Sequence, residues 1–190
     1  MWNWQQPDWP TFRWDATRLR KAEEHFLMGT GEFAGAVKHL SAPDRDQLTV
    51  EAITAEAVTT SEIEGEILDR ASVQSSIRRQ FGLATGKRRV PAKEQGISET
   101  MVDLYRSFAE PLSGDMLFSW HRLLFKDRGG LQDIGRYRTI HAAMEVVSGP
   151  LHAPRVHFEA PPSSRVGDEM GRFTAWFNRT APGGSQPLPA

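Results

Sequence analysis

The chain has 190 residues, a net charge of -1 and no cysteine, with 39% hydrophobic and 25% charged residues. This composition is typical of a globular domain and excludes disulfides, thiolate catalysis and partners held by bulk charge, such as nucleic acid. No apolar run is long enough to cross a membrane, and the first residues show neither the basic nor the apolar region typical of a secretory leader. We therefore expect a cytoplasmic protein with no membrane partner.

The first fifteen residues contain four of the six tryptophans. They are Trp2, Trp4, Trp9 and Trp14. Pro7 and Pro10 oppose a helix in this segment, so an extended arm is expected. Because exposed indoles leave a large apolar surface in water, we expect the arm to lie against the rest of the chain. The alternative is an aromatic surface that binds peptides.

Helical periodicity follows the arm, and the predicted helices have recognisable start and stop signals. The first predicted helix begins at Thr17, and the next two cover 32–40 and 44–64. A fourth helix follows Asp69, two more cover 97–108 and 115–126, and the last follows Ser163. Residues 29–31 are expected to interrupt the first pattern, and Gly65 to end the long helix. Thr17, Asp69, Ser113 and Ser163 are the predicted caps. The apolar stripes of the last three helices are expected to be core.

A period of two occurs in one region, over 143–148 and 155–159, with Gly149-Pro150 as the turn between them. The predicted fold class is therefore mainly α, with one β-hairpin over 143–159. Such a hairpin must lean on the helices or present an edge to a partner, because it cannot bury both of its faces.

The sequence contains few groups suited to chemistry. Its six histidines lack the spacing of metal ligands, and no phosphate-binding glycine motif or nucleophile motif is present. We therefore predict no metal site and no catalytic residue. The exception is the end of the long helix, where Glu62, Glu64 and Glu66 meet the negative end of the helix dipole. This placement indicates either a solvated helix end or a carboxylate that binds an arginine.

Residues 60–65, from Thr60 through Glu64 to Gly65, resemble the inhibitory motif [S/T]xxxE[G/N] of Fic proteins, the family that transfers AMP from ATP to protein hydroxyls. Gly135, Tyr137 and Arg138 are similar to the Gly-x-aromatic-Arg signature of the family. Residues 146–162 look like its flap hairpin, and the tryptophan-rich start looks like the domain that precedes many Fic domains.

The resemblance implies a Fic-like helical bundle, with an accessory domain over 1–90 that contains the inhibitory helix 44–65. Residues 91–190 would be the N-terminal part of a Fic domain. Glu64 would inhibit the enzyme by pairing with a catalytic arginine, and the flap would bind the protein substrate. The flap residues are Val146, Val147, Val156, His157 and Phe158. The complete protein would use ATP and Mg²⁺.

The catalytic motif of the family, HPFx[D/E]GN[G/K]R, is absent from this sequence. Either the chain is part of a longer protein or it has lost activity, and alone it is expected to be inactive and to bind ATP poorly. Two hypotheses stay open. The chain is the regulatory and target-docking portion of an AMP transferase, or it is an antitoxin-like module that offers Glu64 to another Fic protein. The target, the modified residue type and a homo-oligomeric state stay open as well.

Overall fold

A computed structural model describes residues 1–9, 13–87, 89–126, 129–150 and 152–188. The helices are α1 (Ala16–Val37), α2 (Ala42–Ile63), α3 (Arg70–Gln80), α4 (Ala92–Ser107), α5 (Gly114–Leu124) and α6 (Ser163–Thr180). A 3-10 helix covers Asn3–Gln5, and the strands are β1 (Glu145–Ser148) and β2 (Arg155–Glu159). The predicted fold class is confirmed: the described chain is mainly helical, with one antiparallel hairpin.

The chain forms two compact units. One contains Met1–Gly29 and Arg136–Ala190, and the other contains Thr30–Gly135. The predicted domain boundary after residue 90 lies inside the second unit. The assignment of residues 1–90 to an accessory domain stays a prediction.

The core of the second unit lies between α2, α3 and α4. Its fully buried apolar side chains are Val50, Ala57, Val73, Ile77 and Val102. A buried hydroxyl, that of Ser98 on α4, donates to the carbonyl of Glu94 at 2.5 Å and satisfies its hydrogen-bonding capacity within the core. The packing of α2 against α3 and α4 therefore fixes the helix that ends at the predicted site.

Helix α1 corrects three predictions. It is continuous from Ala16–Val37, so neither a break at residues 29–31 nor a separate helix over 32–40 exists. Each glycine lowers helix stability by about 1 kcal/mol, which a 22-residue helix tolerates. The residue that caps the start of α1 is Asp15 and not Thr17. Oδ1 of Asp15 accepts hydrogen bonds from the hydroxyl of Thr17 at 2.6 Å and from the backbone N–H of Thr17 at 3.0 Å. These bonds lower the pKa of Asp15 below its ordinary value.

The other predicted caps have mixed outcomes. Asp69 accepts the N–H of Ser72 and Ser113 accepts that of Met116, so both caps are confirmed. Ser163 is the first residue of α6 and not its cap. The N-cap position is occupied by Pro162, and no side-chain cap bond forms. Its fixed φ suits this position without a polar side chain.

The apolar stripes are less buried than predicted. On α4, Ile97 and Met101 pack against the core, but Leu104 is 41% exposed and Phe108 is 79% exposed. The C-terminal end of α4 still contacts α3, because Nη2 of Arg106 donates to the carbonyl of Gln80 at 2.7 Å. Leu104 and Phe108 are nevertheless left exposed. Periodicity predicts which side chains share a face, and only packing decides whether that face is covered.

Candidate functional site

The C-terminal end of α2 is turned sharply at the predicted inhibitory motif. Glu64 is the C-cap residue of α2, and Gly65 follows it with a φ of 78°. The N–H of Gly65 donates to the carbonyl of Glu62 at 2.9 Å, and that of Glu66 donates to Ser61 at 2.8 Å. This pattern is a Schellman motif, which glycine favours because it adopts positive φ without strain. The direction of the chain is therefore set immediately after Glu64.

The three carboxylates at this helix end have different surroundings. Glu66 forms an ion pair with Nζ of Lys93 at 2.5 Å, and Lys93 also donates to the carbonyl of Ile67 at 3.3 Å. Glu62 and Glu64 are exposed, and neither has an ion-pair partner among the described residues. The helix dipole favours no anion at this end, so an unpaired carboxylate here is suited to an incoming cation.

A pocket of about 430 Å³ opens beside the cap. It is lined by Thr60, Ser61, Glu64, Glu66, Leu68, Lys93, Ile97, Leu124 and Phe125. Glu62 is not part of the lining, and Glu66 is neutralised by Lys93. Glu64 is therefore the carboxylate that both borders the pocket and lacks an ion-pair partner in the described chain. A carboxylate above an apolar wall suits a guanidinium or ammonium group with an aliphatic stem.

The motif's Thr60 also borders the pocket. Its hydroxyl donates to Oε1 of Glu56 at 2.9 Å, one turn earlier on α2. Thr60 therefore lies on the same side of the helix end as Glu64. The two motif side chains therefore border the same pocket, and Gly65 follows Glu64 in the turn that ends α2.

Helix α4 holds the segment that follows the motif. The N–H of Asp69 donates to Oε1 of Glu94 at 3.4 Å. Glu94 is buried, with 8% of its surface exposed. Together with Lys93, Glu94 ties the connection between α2 and α3 to the first turn of α4. Sequence reasoning missed both residues because these contacts join positions 25 or 26 residues apart. No local pattern indicates such a pairing.

The predicted flap is the β1–β2 hairpin. Val146 pairs with Phe158 and Val147 with Val156, so His157 is the extra residue of a β-bulge. The bulge is supported by a 2.6 Å hydrogen bond between Nε2 of His157 and Oγ of Ser148.

All four residues of β1 are exposed, with Val146 at 58% and Val147 at 48%. Val156 and Phe158, on β2, are half-buried. Strand β1 therefore presents exposed valines and an outer edge with no further strand in the described sheet, and the role of the hairpin in docking stays a prediction.

The Gly-x-aromatic-Arg signature spans the division between the two units. Gly135 ends the second unit with φ of 68°, and its N–H donates to Nδ1 of His121 at 2.8 Å. Its carbonyl accepts from Nη1 of Arg122 at 3.2 Å, and a Cβ at this position would overlap that side chain. This explains a glycine here. Tyr137 and Arg138 belong to the first unit, where Nη2 of Arg138 donates to the carbonyl of Pro161.

The described residues show no further site of a familiar kind. No group of three or more potential metal ligands occurs among them. None of the helices they form has both the length and the hydropathy of a membrane-spanning helix.

Comparisons with known proteins agree with the fold. The family described as "Domain of unknown function (DUF4172)" matches residues 2–83. The chain is similar to the crystal structure of a Fic family protein from Desulfovibrio desulfuricans G20, with 21% identity and a TM-score of 0.52. The similarity covers 91% of this chain and 48% of that one, so this chain spans about half its length. No curated protein matches this chain. The comparison shows a Fic-like fold.

Proposed function

We propose that this chain is the regulatory and target-docking portion of a Fic-type protein AMP transferase. The proposal is supported by the Fic-like fold, by Thr60 and Glu64, which border one pocket, and by Gly65, which ends α2 beside them. The observation that carries it is the unpaired carboxylate of Glu64 beside a pocket, next to a Glu66 that Lys93 already neutralises.

The proposed reaction joins AMP to a protein hydroxyl. The hydroxyl oxygen forms a bond to the α-phosphorus of ATP, the bond from that phosphorus to the bridging oxygen breaks, and pyrophosphate leaves. The hydroxyl proton goes to a general base. The pocket carries carboxylates, which do not suit the phosphates of a nucleotide. In this proposal ATP, Mg²⁺ and the base belong to the catalytic motif HPFx[D/E]GN[G/K]R, which is absent from this sequence.

Glu64 would act as the inhibitor of that reaction. An arginine that reaches the pocket would form charge-assisted hydrogen bonds with Glu64 and place its stem against Ile97 and Leu124. An arginine held in this way is not available to stabilise the phosphates of ATP, a role that electrostatic catalysis requires. The Schellman turn at Gly65 would keep the carboxylate in position.

The hairpin would dock the protein substrate. An extended segment of the target adds to a free strand edge through main-chain hydrogen bonds, which is a common mode of peptide recognition. Strand β1 is exposed along its whole length and suits this addition. The partner is thus a protein with an accessible extended segment around the modified hydroxyl.

The decisive experiment measures transfer of labelled AMP in two samples. The first is the 190-residue chain with ATP, Mg²⁺ and a cell lysate, in which we expect no label on any protein. The second is the product of the full coding sequence that contains these residues, in which we expect a catalytic HPFx[D/E]GN[G/K]R motif and transfer. Labelling by the first sample, or a full product without the motif, would contradict the proposal.

A second candidate is inhibition of another protein's Fic domain. It is favoured by the open pocket, whose Glu64 has no ion-pair partner in the described chain. The chain would be added to a Fic transferase whose own inhibitory glutamate has been replaced by glutamine. Inhibition by the wild-type chain, and none by the Glu64→Gln chain, would favour this candidate. Equal activity with both chains would exclude it.

A further inference from the structure

The two outer edges of the hairpin differ in their surroundings. The N–H of Ala160 donates to the carbonyl of Met144 at 2.8 Å, so these residues form a hydrogen-bonded pair. The adjacent pair, Glu145 and Glu159, is then of the other type, whose backbone groups face away from the partner strand. The carbonyl of Glu159 therefore faces outward on β2, and the backbone groups of Glu145 and Val147 face outward on β1.

The N-terminal tryptophans occupy the outer edge of β2. Nε1 of Trp4 donates to the outward carbonyl of Glu159 at 2.6 Å, and Nε1 of Trp2 donates to Oε2 of the same residue at 3.3 Å. The ring of Trp2 meets that of Phe158 edge-on, with centroids 6.0 Å apart. Trp2 and Trp4 of the N-terminal arm are thus packed against β2, and Asn3–Gln5 form a 3-10 helix where an extended segment was predicted.

Trp4 also connects β2 to α6. The guanidinium carbon of Arg165, in the first turn of α6, lies 5.1 Å from the centroid of a Trp4 ring. This is the distance of a cation–π interaction. The 3-10 helix itself is closed by reciprocal bonds, because the N–H of Trp2 donates to Oε1 of Gln5 at 2.8 Å and the N–H of Gln5 donates to the carbonyl of Trp2 at 3.0 Å. The two indoles are therefore presented by a locally ordered turn.

We infer that Trp2 and Trp4 are positioning residues of the docking hairpin. They close the outer edge of β2 and tie it to α6, so that β1 is the edge to which an extended polypeptide is added. This inference rests on the proposed docking function. It assigns a role to the tryptophan-rich arm and favours packing of Trp2 and Trp4 over a surface that binds peptides through these indoles.

The first test uses the 190-residue chain and Trp4→Phe, which removes the N–H donor and keeps an aromatic ring near Arg165. Trp14→Phe is the matched control, because Trp14 is 51% exposed. The readouts are the indole N–H resonances and the amide exchange of residues 144–160. We expect a protected Trp4 indole N–H in the wild type, and exchange of the hairpin amides about threefold to tenfold faster in Trp4→Phe.

The outcome of this test does not depend on AMP transfer. Unchanged hairpin exchange in Trp4→Phe, or the same acceleration in Trp14→Phe, would overturn the positioning role. A general loss of protection that includes α4 would show that the substitution acts on overall folding, and would overturn it as well. Trp2→Phe is the second variant, and it should accelerate exchange in the same amides by a smaller factor, because its hydrogen bond at 3.3 Å is longer.

The second test measures docking in the full product, with auto-modification as the internal reference. Trp4→Phe should lower the labelling of lysate proteins relative to auto-modification several-fold, and Trp14→Phe should leave the ratio unchanged. An unchanged ratio in Trp4→Phe would overturn the link to docking. If the wild-type product transfers no AMP, the proposed function fails, whereas the exchange measurement still decides whether the tryptophans position the hairpin.

Discussion

Replacing Glu64 by glutamine tests the regulatory role with the smallest change in shape. Glu62→Gln is the matched control, since both residues are exposed carboxylates at the end of α2 and both lack ion-pair partners among the described residues. They differ in that Glu64 borders the pocket and Glu62 does not. A difference between the two variants therefore reports on the pocket and not on the helix end.

The expected magnitudes separate stability from activity. Removing either negative charge from the C-terminal end of α2 should stabilise the chain by about 0.3–1 kcal/mol. Glu66→Gln should cost about 0.2–1 kcal/mol, because its ion pair with Lys93 is solvent-exposed. A hydrogen bond to a charged group contributes about 1.5–3 kcal/mol, so freeing an arginine from Glu64 should raise AMP transfer by about 10-fold to 150-fold.

The assay is auto-modification with labelled ATP by the full product, together with the thermal unfolding of each variant. Glu64→Gln should be strongly activated, whereas Glu62→Gln should match it in stability and stay close to wild-type activity. Glu66→Gln should change activity little. Equal activation by Glu62→Gln and Glu64→Gln would refute the inhibitory assignment and leave a solvated acidic helix end as the explanation.

Three further predictions concern packing, docking and pH. Gly96→Ala should destabilise the chain by about 1–3 kcal/mol, because a Cβ there would overlap a backbone carbonyl of α5. Gly31→Ala, which has open space around it, should stabilise the chain by about 0.5–1 kcal/mol. Thermal unfolding measures both variants, and similar shifts would contradict the close contact between α4 and α5. Val147→Pro removes an outward N–H from β1 and should abolish the labelling of target proteins, whereas Val147→Thr keeps that N–H and should retain most of it. The amide resonance of Thr17 should titrate with an inflection below the ordinary pKa of aspartate. The ionised carboxylate of Asp15 accepts the N–H of Thr17, and this bond is lost as the pH falls through the lowered pKa of Asp15. Asp15→Asn should remove the titration.

Part of the candidate site was accessible from sequence because its determinants are local. The motif Thr60-x-x-x-Glu64-Gly65 combines helical spacing with a glycine that ends a helix, and both act within one turn. The hairpin was predicted from alternation and a Gly-Pro turn, and its strands end where expected, at Ser148 and Glu159. Its bulge at His157 was not predicted, because an unpaired residue becomes visible only when two strands are aligned.

By itself, the sequence determined the fold class, the presence of most helices, the position of the hairpin and the location of three carboxylates at one helix end. These features depend on side chains within a few positions of each other. Only the tertiary structure distinguished those carboxylates, by bringing Lys93 to Glu66 and leaving Glu64 beside a pocket. It also brought Trp4 to Glu159, across 155 positions. Contacts at such separations depend on how the helices and strands pack, and local periodicity contains no information about that packing.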